Sequence, residues 1–141
     1  MRVRLELPEK FDFSTEIPIR ISDINYGNHL GHDAILPLAH EARLQFLKHF
    51  GYTELDIEGA SYVMADAVIV YKAQAFYGQT LKIEIAVADF APKSCDFFYR
   101  VTDKETGTEV ARLKTSMVFY DYRKGKPTDT PEKFRARFAR A

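Results

Sequence analysis

The chain has 141 residues, of which 46% are hydrophobic, and this is enough to bury a core without disulfides or metals. Its 20 basic and 20 acidic residues cancel, so the charge excess expected of a general nucleic-acid binder is absent. The N-terminus is charged, and no apolar run approaches the length of a membrane span. We therefore expect a cytoplasmic protein that binds neither nucleic acid nor membrane.

Cys95 is the single cysteine, which excludes an internal disulfide. It has no CxxC or Cys/His cluster around it, so we expect a reducing compartment and neither a metal nor a cofactor. Its simplest role is that of a small apolar residue within a strand.

The first regular element predicted is a strand over residues 14–21, where isoleucines alternate with other residues. Pro18 lacks a donor for the strand ladder, so this strand should lie at a sheet edge. The alternation at residues 3–5 favours a short additional edge strand before it.

A polar loop over residues 22–33 leads directly into a long helix that ends at Gly51. Pro37 must lie in or near the first helical turn because it has no N–H to donate, and this makes Asp33 the expected N-cap. The helix is predicted from apolar residues at spacings of three and four, namely Ile35, Leu38, Ala39, Ala42, Phe46 and Phe50. The free N–H groups at such a helix start can stabilise an oxyanion.

The second half predicts four strands, over residues 61–76, 80–90, 95–104 and 109–122, separated by turn residues. Long consecutive strands with one long helix cannot form a sandwich, so we expect one curled antiparallel sheet around the helix, an α+β fold. The strand tyrosines, among them Tyr71, are expected to pack within the sheet. Residues 124–141 form a turn and a short basic helix with Phe134 and Phe138 on one side, within a single domain that spans residues 1–141.

The segment IRISDINYGNHLGHDAILPLAHEARLQFL resembles the loop-to-helix block of hotdog-fold acyl-CoA thioesterases, in the branch similar to 4-hydroxybenzoyl-CoA thioesterase. Weaker likenesses run through VIVYKAQAFYGQTLKIE and RLKTSMVFYDYRKGKPTDTPEKF. The resemblance implies a hotdog fold, in which a curled antiparallel sheet of about five or six strands wraps a central helix. It also implies hydrolysis of an acyl-CoA or acyl-carrier-protein thioester by a dimer or tetramer whose active sites lie between subunits.

Such hydrolysis needs a carboxylate as nucleophile or base, and backbone N–H groups that polarise the thioester carbonyl. The N–H groups of Gly31, His32 and Asp33 are the candidates for the second role. The family's catalytic carboxylate is the second acid of an Asp-x-Asp turn, but Asn25 holds that position here, and an amide cannot accept a proton as a carboxylate does. Asn25 can still orient water or the thioester carbonyl.

Three residues are candidates to replace the missing acid. Asp23 matches the first acid of the turn, although its simpler role is to bond loop N–H groups and hold the turn. His29 matches the histidine of the related plant acyl-carrier-protein thioesterases, and its simpler role is to brace the turn or an interface. Glu41 lies at the border of the helix's apolar face, where it either reaches the cleft as a base or is a solvated helix acid.

Two alternative functions remain open. The loop also resembles that of R-specific enoyl-CoA hydratases, but Asn28 stands where their histidine belongs and His29 comes one residue late. Hydration needs an Asp and a His on one water, so this shift matters. The second alternative is a noncatalytic acyl-thioester binder, which the replacement of the acid by Asn25 favours.

Overall fold

Six strands and two helices make up the computed structural model, which describes residues 1–140. In chain order they are β1 (Phe13–Pro18), α1 (Ile35–His49), β2 (Ser61–Tyr71), β3 (Thr80–Ala91), β4 (Ser94–Asp103), β5 (Glu109–Asp121), β6 (Lys126–Pro127) and α2 (Glu132–Phe138). A single 3-10 turn, Ile21–Asp23, follows β1. The central helix, the four long strands and the C-terminal helix are confirmed. No helix among the described residues has the length and apolar character needed to cross a membrane.

The long strands pair antiparallel in the order β1-β3-β4-β5-β2, and β6 pairs with the end of β5. β1 is an edge strand, as predicted, but it ends at Pro18 and not at residue 21. The strand expected at residues 3–5 is wrong, because β1 is the first strand of the described chain. The N-terminal segment bonds to the sheet through other groups: Leu5 O accepts from Arg112 Nη1 at 3.0 Å, and the Asp12 carboxylate accepts the Val87 N–H at 2.9 Å.

The sheet curves around α1, since one helix contacts both edge strands and the middle of the sheet. Phe46 packs its ring against Phe13 of β1 and Phe97 of β4. Arg43, one turn earlier, bonds to Tyr62 of β2. Five flat strands at a spacing of about 4.8 Å would span roughly 19 Å, which exceeds the helix diameter of about 10–12 Å. Contact with both edges therefore requires curvature.

The apolar face of α1 is buried as predicted, although Phe50 is only half-buried. The helix stops where Gly51 adopts a φ of 85°, a left-handed conformation that suits glycine. Its predicted start is wrong: Ala34 is the N-cap, and no side chain in the described part of the protein caps the helix. Ala34 N–H donates to Gly31 O at 3.0 Å, so a backbone turn delivers the chain into the helix without a capping Asp33.

α2 completes the core at the C-terminal end of α1. Phe134 and Phe138 are both buried, as their shared helical side predicted. Phe138 contacts the rings of Phe46 and Phe50, which joins the two helices. Cys95 is buried in β4, as expected of a small strand residue.

Candidate active site

A cleft of about 330 Å³ lies beside the start of α1, between the polar loop and the segment at the end of β2. Its lining includes Asn25, His29 and His32 from the loop and Tyr71, Lys72 and Gln74 from the opposite side. The cleft therefore joins the loop predicted to carry chemistry with a part of the chain that the sequence did not connect to it.

The loop is shaped by hydrogen bonds between its own residues. Asn25 Oδ1 accepts the Gly27 N–H at 2.9 Å, and Asn25 N–H donates to His29 O at 3.0 Å. Asn28 adopts a φ of 63°, a left-handed conformation that asparagine tolerates better than most residues. Because Asn25 Oδ1 faces a donor, its amide Nδ2 is the end that remains to donate, and among the described residues Nδ2 has no partner.

His29 is half-buried, and one of its ring nitrogens already has a hydrogen-bond partner. Nδ1 lies 3.3 Å from Leu30 O, and a carbonyl oxygen only accepts, so we assign the ring proton to Nδ1. Nε2 then keeps a lone pair. It lies 3.1 Å from the point where a side chain of Gly27 would begin, and Asn25 Oδ1 lies 3.3 Å from that point. The absence of a side chain at Gly27 therefore leaves room for the ring beside Asn25.

Two of the three candidate N–H groups at the helix start have no partner within residues 1–140. Gly31 N–H donates to Asp23 O at 2.9 Å, so it is not available to a ligand. His32 and Asp33 N–H groups make no hydrogen bond to any described residue. With the positive end of the α1 dipole behind them, they are suited to bind a negatively charged oxygen.

The end of β2 holds the loop in place. Tyr71 hydroxyl donates to His32 O at 2.8 Å, and Leu30 N–H donates to Ala75 O at 2.7 Å. Sequence reasoning had assigned Tyr71 only to strand packing, yet its side chain is about half exposed and lines the cleft. Burial, and after it the charge of Asp33, raise the pKa of the Tyr71 hydroxyl.

Asp33 brings a carboxylate to the helix start. Its Oδ1 lies 2.5 Å from the point where a side chain of Gly31 would begin, so the carboxylate folds back over that glycine. The side chain is exposed and forms no ion pair or hydrogen bond with a described residue. Sequence reasoning considered only the backbone of Asp33, because the position had been assigned to a helix cap.

Asp23 and Glu41 lie outside the cleft lining. Asp23 is buried, and its carboxylate accepts the Arg20 N–H at 2.8 Å and pairs with the Arg20 guanidinium at 3.2 Å. It thus holds the turn. Glu41 is exposed and accepts from Gln45 Nε2 at 2.9 Å, one helical turn further on. Of the three candidates for the missing acid, the structure places only His29 in the cleft.

The architecture and the loop at the helix start are those of a hotdog protein, as the sequence resemblance implied. Residues 19–138 match the sequence profile of the Thioesterase-like superfamily. The chain therefore belongs to that superfamily. A comparison with curated protein sequences gave no match.

Solved structures of similar fold share few identical residues with this chain. A 1,4-dihydroxy-2-naphthoyl-CoA thioesterase from Synechocystis is 18% identical with a TM-score of 0.79, over 88% of this chain and 93% of that one. A thioesterase-superfamily protein from Jannaschia sp. CCS1 is 20% identical with a TM-score of 0.82, over 93% of this chain and 83% of that one. The 12:0-ACP thioesterase from Umbellularia californica is 18% identical with a TM-score of 0.74, over 88% of this chain and 51% of that one. These similarities establish the hotdog fold.

Proposed function

We propose that this protein is an enzyme that hydrolyses acyl thioesters of coenzyme A or of an acyl carrier protein to the free acid and the thiol. Membership of the Thioesterase-like superfamily supports the reaction class. The observation that carries the proposal is the cleft at the start of α1, which His29 and His32 both line, next to the helix start where the N–H groups of His32 and Asp33 have no partner among the described residues.

In the proposed mechanism, His29 Nε2 takes a proton from water as the water oxygen attacks the thioester carbon. The carbonyl oxygen becomes an oxyanion, which the N–H groups of His32 and Asp33 stabilise. The carbon–sulfur bond then breaks, and the imidazolium returns its proton to the departing thiolate. Asn25 Nδ2 orients the water or the carbonyl, the role left to an amide at the family's acid position. The reaction consumes only water and needs no cofactor.

The direct test is hydrolysis of a panel of acyl-CoA esters, followed by thiol detection. We expect His29→Ala to lower kcat by a factor of about 10² to 10⁴, the usual contribution of a general base. His49→Ala is a matched control, because His49 is exposed at the far end of α1. A His29→Ala enzyme that keeps the full rate would contradict the assignment of the base.

The two alternatives give different results in the same assays. An enoyl-CoA hydratase needs Asp23 and His29 on one water, but the Asp23 carboxylate is bonded to Arg20 and lies outside the cleft lining. An enoyl-CoA absorbance assay run beside the thiol assay tests this. A noncatalytic binder would bind acyl thioesters and turn over none of them.

We propose further that the chain self-associates through β2 into a dimer or a higher oligomer. β2 is an edge strand, and its residues 64–67 are exposed on both faces. An unpaired edge of this kind invites a second strand. Ala65 has no partner in β5 because the pairing register skips it, so Ala65→Lys adds charge to the edge without removing a pair. Light scattering should show a smaller assembly for this variant than for the wild type, and equal masses would contradict the proposal.

We propose that the protein acts in the cytoplasm, where acyl thioesters of coenzyme A are turned over. The buried, unpaired Cys95 supports a reducing compartment. Fractionation of cells that produce the protein tests the location.

A further inference from the structure

A second cavity, of about 510 Å³, lies on the face of α1 towards β2 and is separate from the loop cleft. A chain of polar side chains forms its floor. Arg43 Nε donates to Tyr62 hydroxyl at 2.8 Å, and this hydroxyl donates to Glu54 Oε2 at 2.7 Å. Glu54 Oε1 lies 3.0 Å from His40 Nε2 at the surface. The floor thus extends from a buried cation to a half-exposed imidazole.

One nitrogen of the Arg43 guanidinium, Nη2, makes no hydrogen bond to any of residues 1–140. Nη1 donates to Tyr99 hydroxyl at 2.9 Å, but the carboxylate nearest to Nη2 is Glu54 Oε2, at 3.7 Å. This separation is too long for a hydrogen bond. Every fully buried side-chain nitrogen or oxygen in the described chain has a partner, so Nη2 is not fully enclosed. Since the Arg43 side chain is only 4% exposed and lines the cavity, we infer that its free N–H groups face the cavity.

A hydroxyl oxygen can contact both Nη2 and Glu54 Oε2 if it lies to the cavity side of the line that joins these two atoms. An oxygen about 2.9 Å from each of two atoms 3.7 Å apart is geometrically allowed. Such an oxygen would accept from Arg43 Nη2 and donate to the Glu54 carboxylate. A carboxylate ligand would accept from Nη2 but meet the negative charge of Glu54, so a neutral hydroxyl is the better fit.

The walls of the cavity are apolar and begin close to the proposed reaction centre. Leu36 and Pro37, in the first turn of α1, form one wall, while Val63, Met64 and Met117 form the other. The free N–H groups of His32 and Asp33 precede the same helical turn. An acyl group whose carbonyl lies at the helix start could therefore extend across that turn towards Arg43.

We propose that this cavity binds the acyl group of the substrate and selects acyl groups that carry a hydroxyl, which lies between Arg43 and Glu54. The inference rests on the proposed thioester hydrolysis and adds a substrate class to it. Nothing in the reaction at the loop requires the polar floor. Its role is specificity, because Nη2 of the buried Arg43 side chain gains a hydrogen-bond acceptor from an acyl group that carries the hydroxyl and none from an acyl group that lacks it.

The test uses pairs of probes that differ by one hydroxyl: 6-hydroxyhexanoate with hexanoate, and 4-hydroxyphenylacetate with phenylacetate. The free acids are titrated by calorimetry, and their CoA thioesters are assayed for hydrolysis. We expect the wild type to favour the hydroxylated member of at least one pair by about tenfold in Kd and in kcat/KM, the effect of one hydrogen bond to charged groups. Glu54→Ala should abolish this preference.

Glu58→Ala is the matched control. Glu58 also accepts from a tyrosine hydroxyl, that of Tyr52 at 2.6 Å, but it does not line the cavity. This variant should keep the preference, and thermal unfolding confirms that both variants fold. Equal binding of both members of each pair by the wild type, or a preference unchanged in folded Glu54→Ala, overturns the cavity assignment whatever the hydrolysis rates. A Glu54-dependent preference in binding, with no hydrolysis of any thioester, supports the cavity and overturns the proposed reaction.

Discussion

Replacing Phe134 by alanine should strongly destabilise the protein. The side chain is fully buried, and its ring lies 5.1 to 6.0 Å from those of Tyr52, Phe90, Phe119 and Phe138. Burying a Phe side chain in a core contributes about 3–5 kcal/mol relative to alanine. With four ring contacts, we expect a loss in the middle of that range, at about 4 kcal/mol.

This loss converts into a large change of melting temperature. A chain of this length has an unfolding entropy of roughly 0.3 kcal/mol/K at its midpoint, so Tm should fall by about 13 °C. Circular dichroism during heating measures the change. Phe76→Ala is the control, because Phe76 is 46% exposed and should shift Tm by no more than about 2 °C. A fall of less than about 5 °C for Phe134→Ala would refute the packing of α2 against the sheet.

The same melting curve tests the domain organisation. We propose that the described chain folds as one unit, because Phe134 joins α2 to the segment that follows α1 and also to β5. Tyr52 lies just after α1, and Phe119 lies in β5. One cooperative transition is expected, and a separate early transition that Phe134→Ala removes would contradict this proposal.

Three further results are expected. Asn25→Asp should raise kcat by about tenfold or more in the thiol-release assay. The Gly27 N–H can still bond one carboxylate oxygen, while the other oxygen becomes a proton acceptor. An unchanged rate would argue against a catalytic role for this position. Cys95 should resist thiol reagents in the native protein and react in urea, because burial raises the pKa of its thiol; rapid native labelling would contradict its burial. Glu54→Gln should cost up to about 1 kcal/mol of unfolding free energy near neutral pH and less in acid. Burial raises the pKa of Glu54, but hydrogen bonds from His40 and Tyr62 outweigh burial and hold that pKa below its ordinary value of 4.5. The stabilisation is therefore present above pH 4.5 and is lost as the pH falls through the lowered pKa. Denaturant titrations at pH 7 and pH 3 measure the difference, and an equal cost at both pH values would contradict the shift.

The sequence predicted the main elements because their signals are local. The spacing of apolar residues in α1 and the turn residues between the strands are visible within short windows. The helix start was harder to predict. Asp33 is a residue type that often caps helices, but the backbone turn from Gly31 to Ala34 makes a capping side chain unnecessary.

The candidate site was only partly predictable, because much of it depends on contacts between distant parts of the chain. His29 and the helix start are neighbours in sequence, whereas Tyr71 reaches His32 across 39 residues. The burial of Arg43 was hard to predict for the same reason. Its charge argues for solvent, and its burial depends on Tyr62 and Tyr99, which lie 19 and 56 residues away.

The cleft wall opposite the loop offers a practical route to altered specificity. Lys72 and Ala73 are held by backbone N–H bonds to Val110 O, at 2.8 and 3.2 Å, and both residues line the cleft together with Gln74. These three positions take no part in the bonds that shape the loop. A directed-evolution library confined to residues 72–74 would therefore broaden the range of substrates that the cleft binds, without changing the positions of the proposed reacting groups.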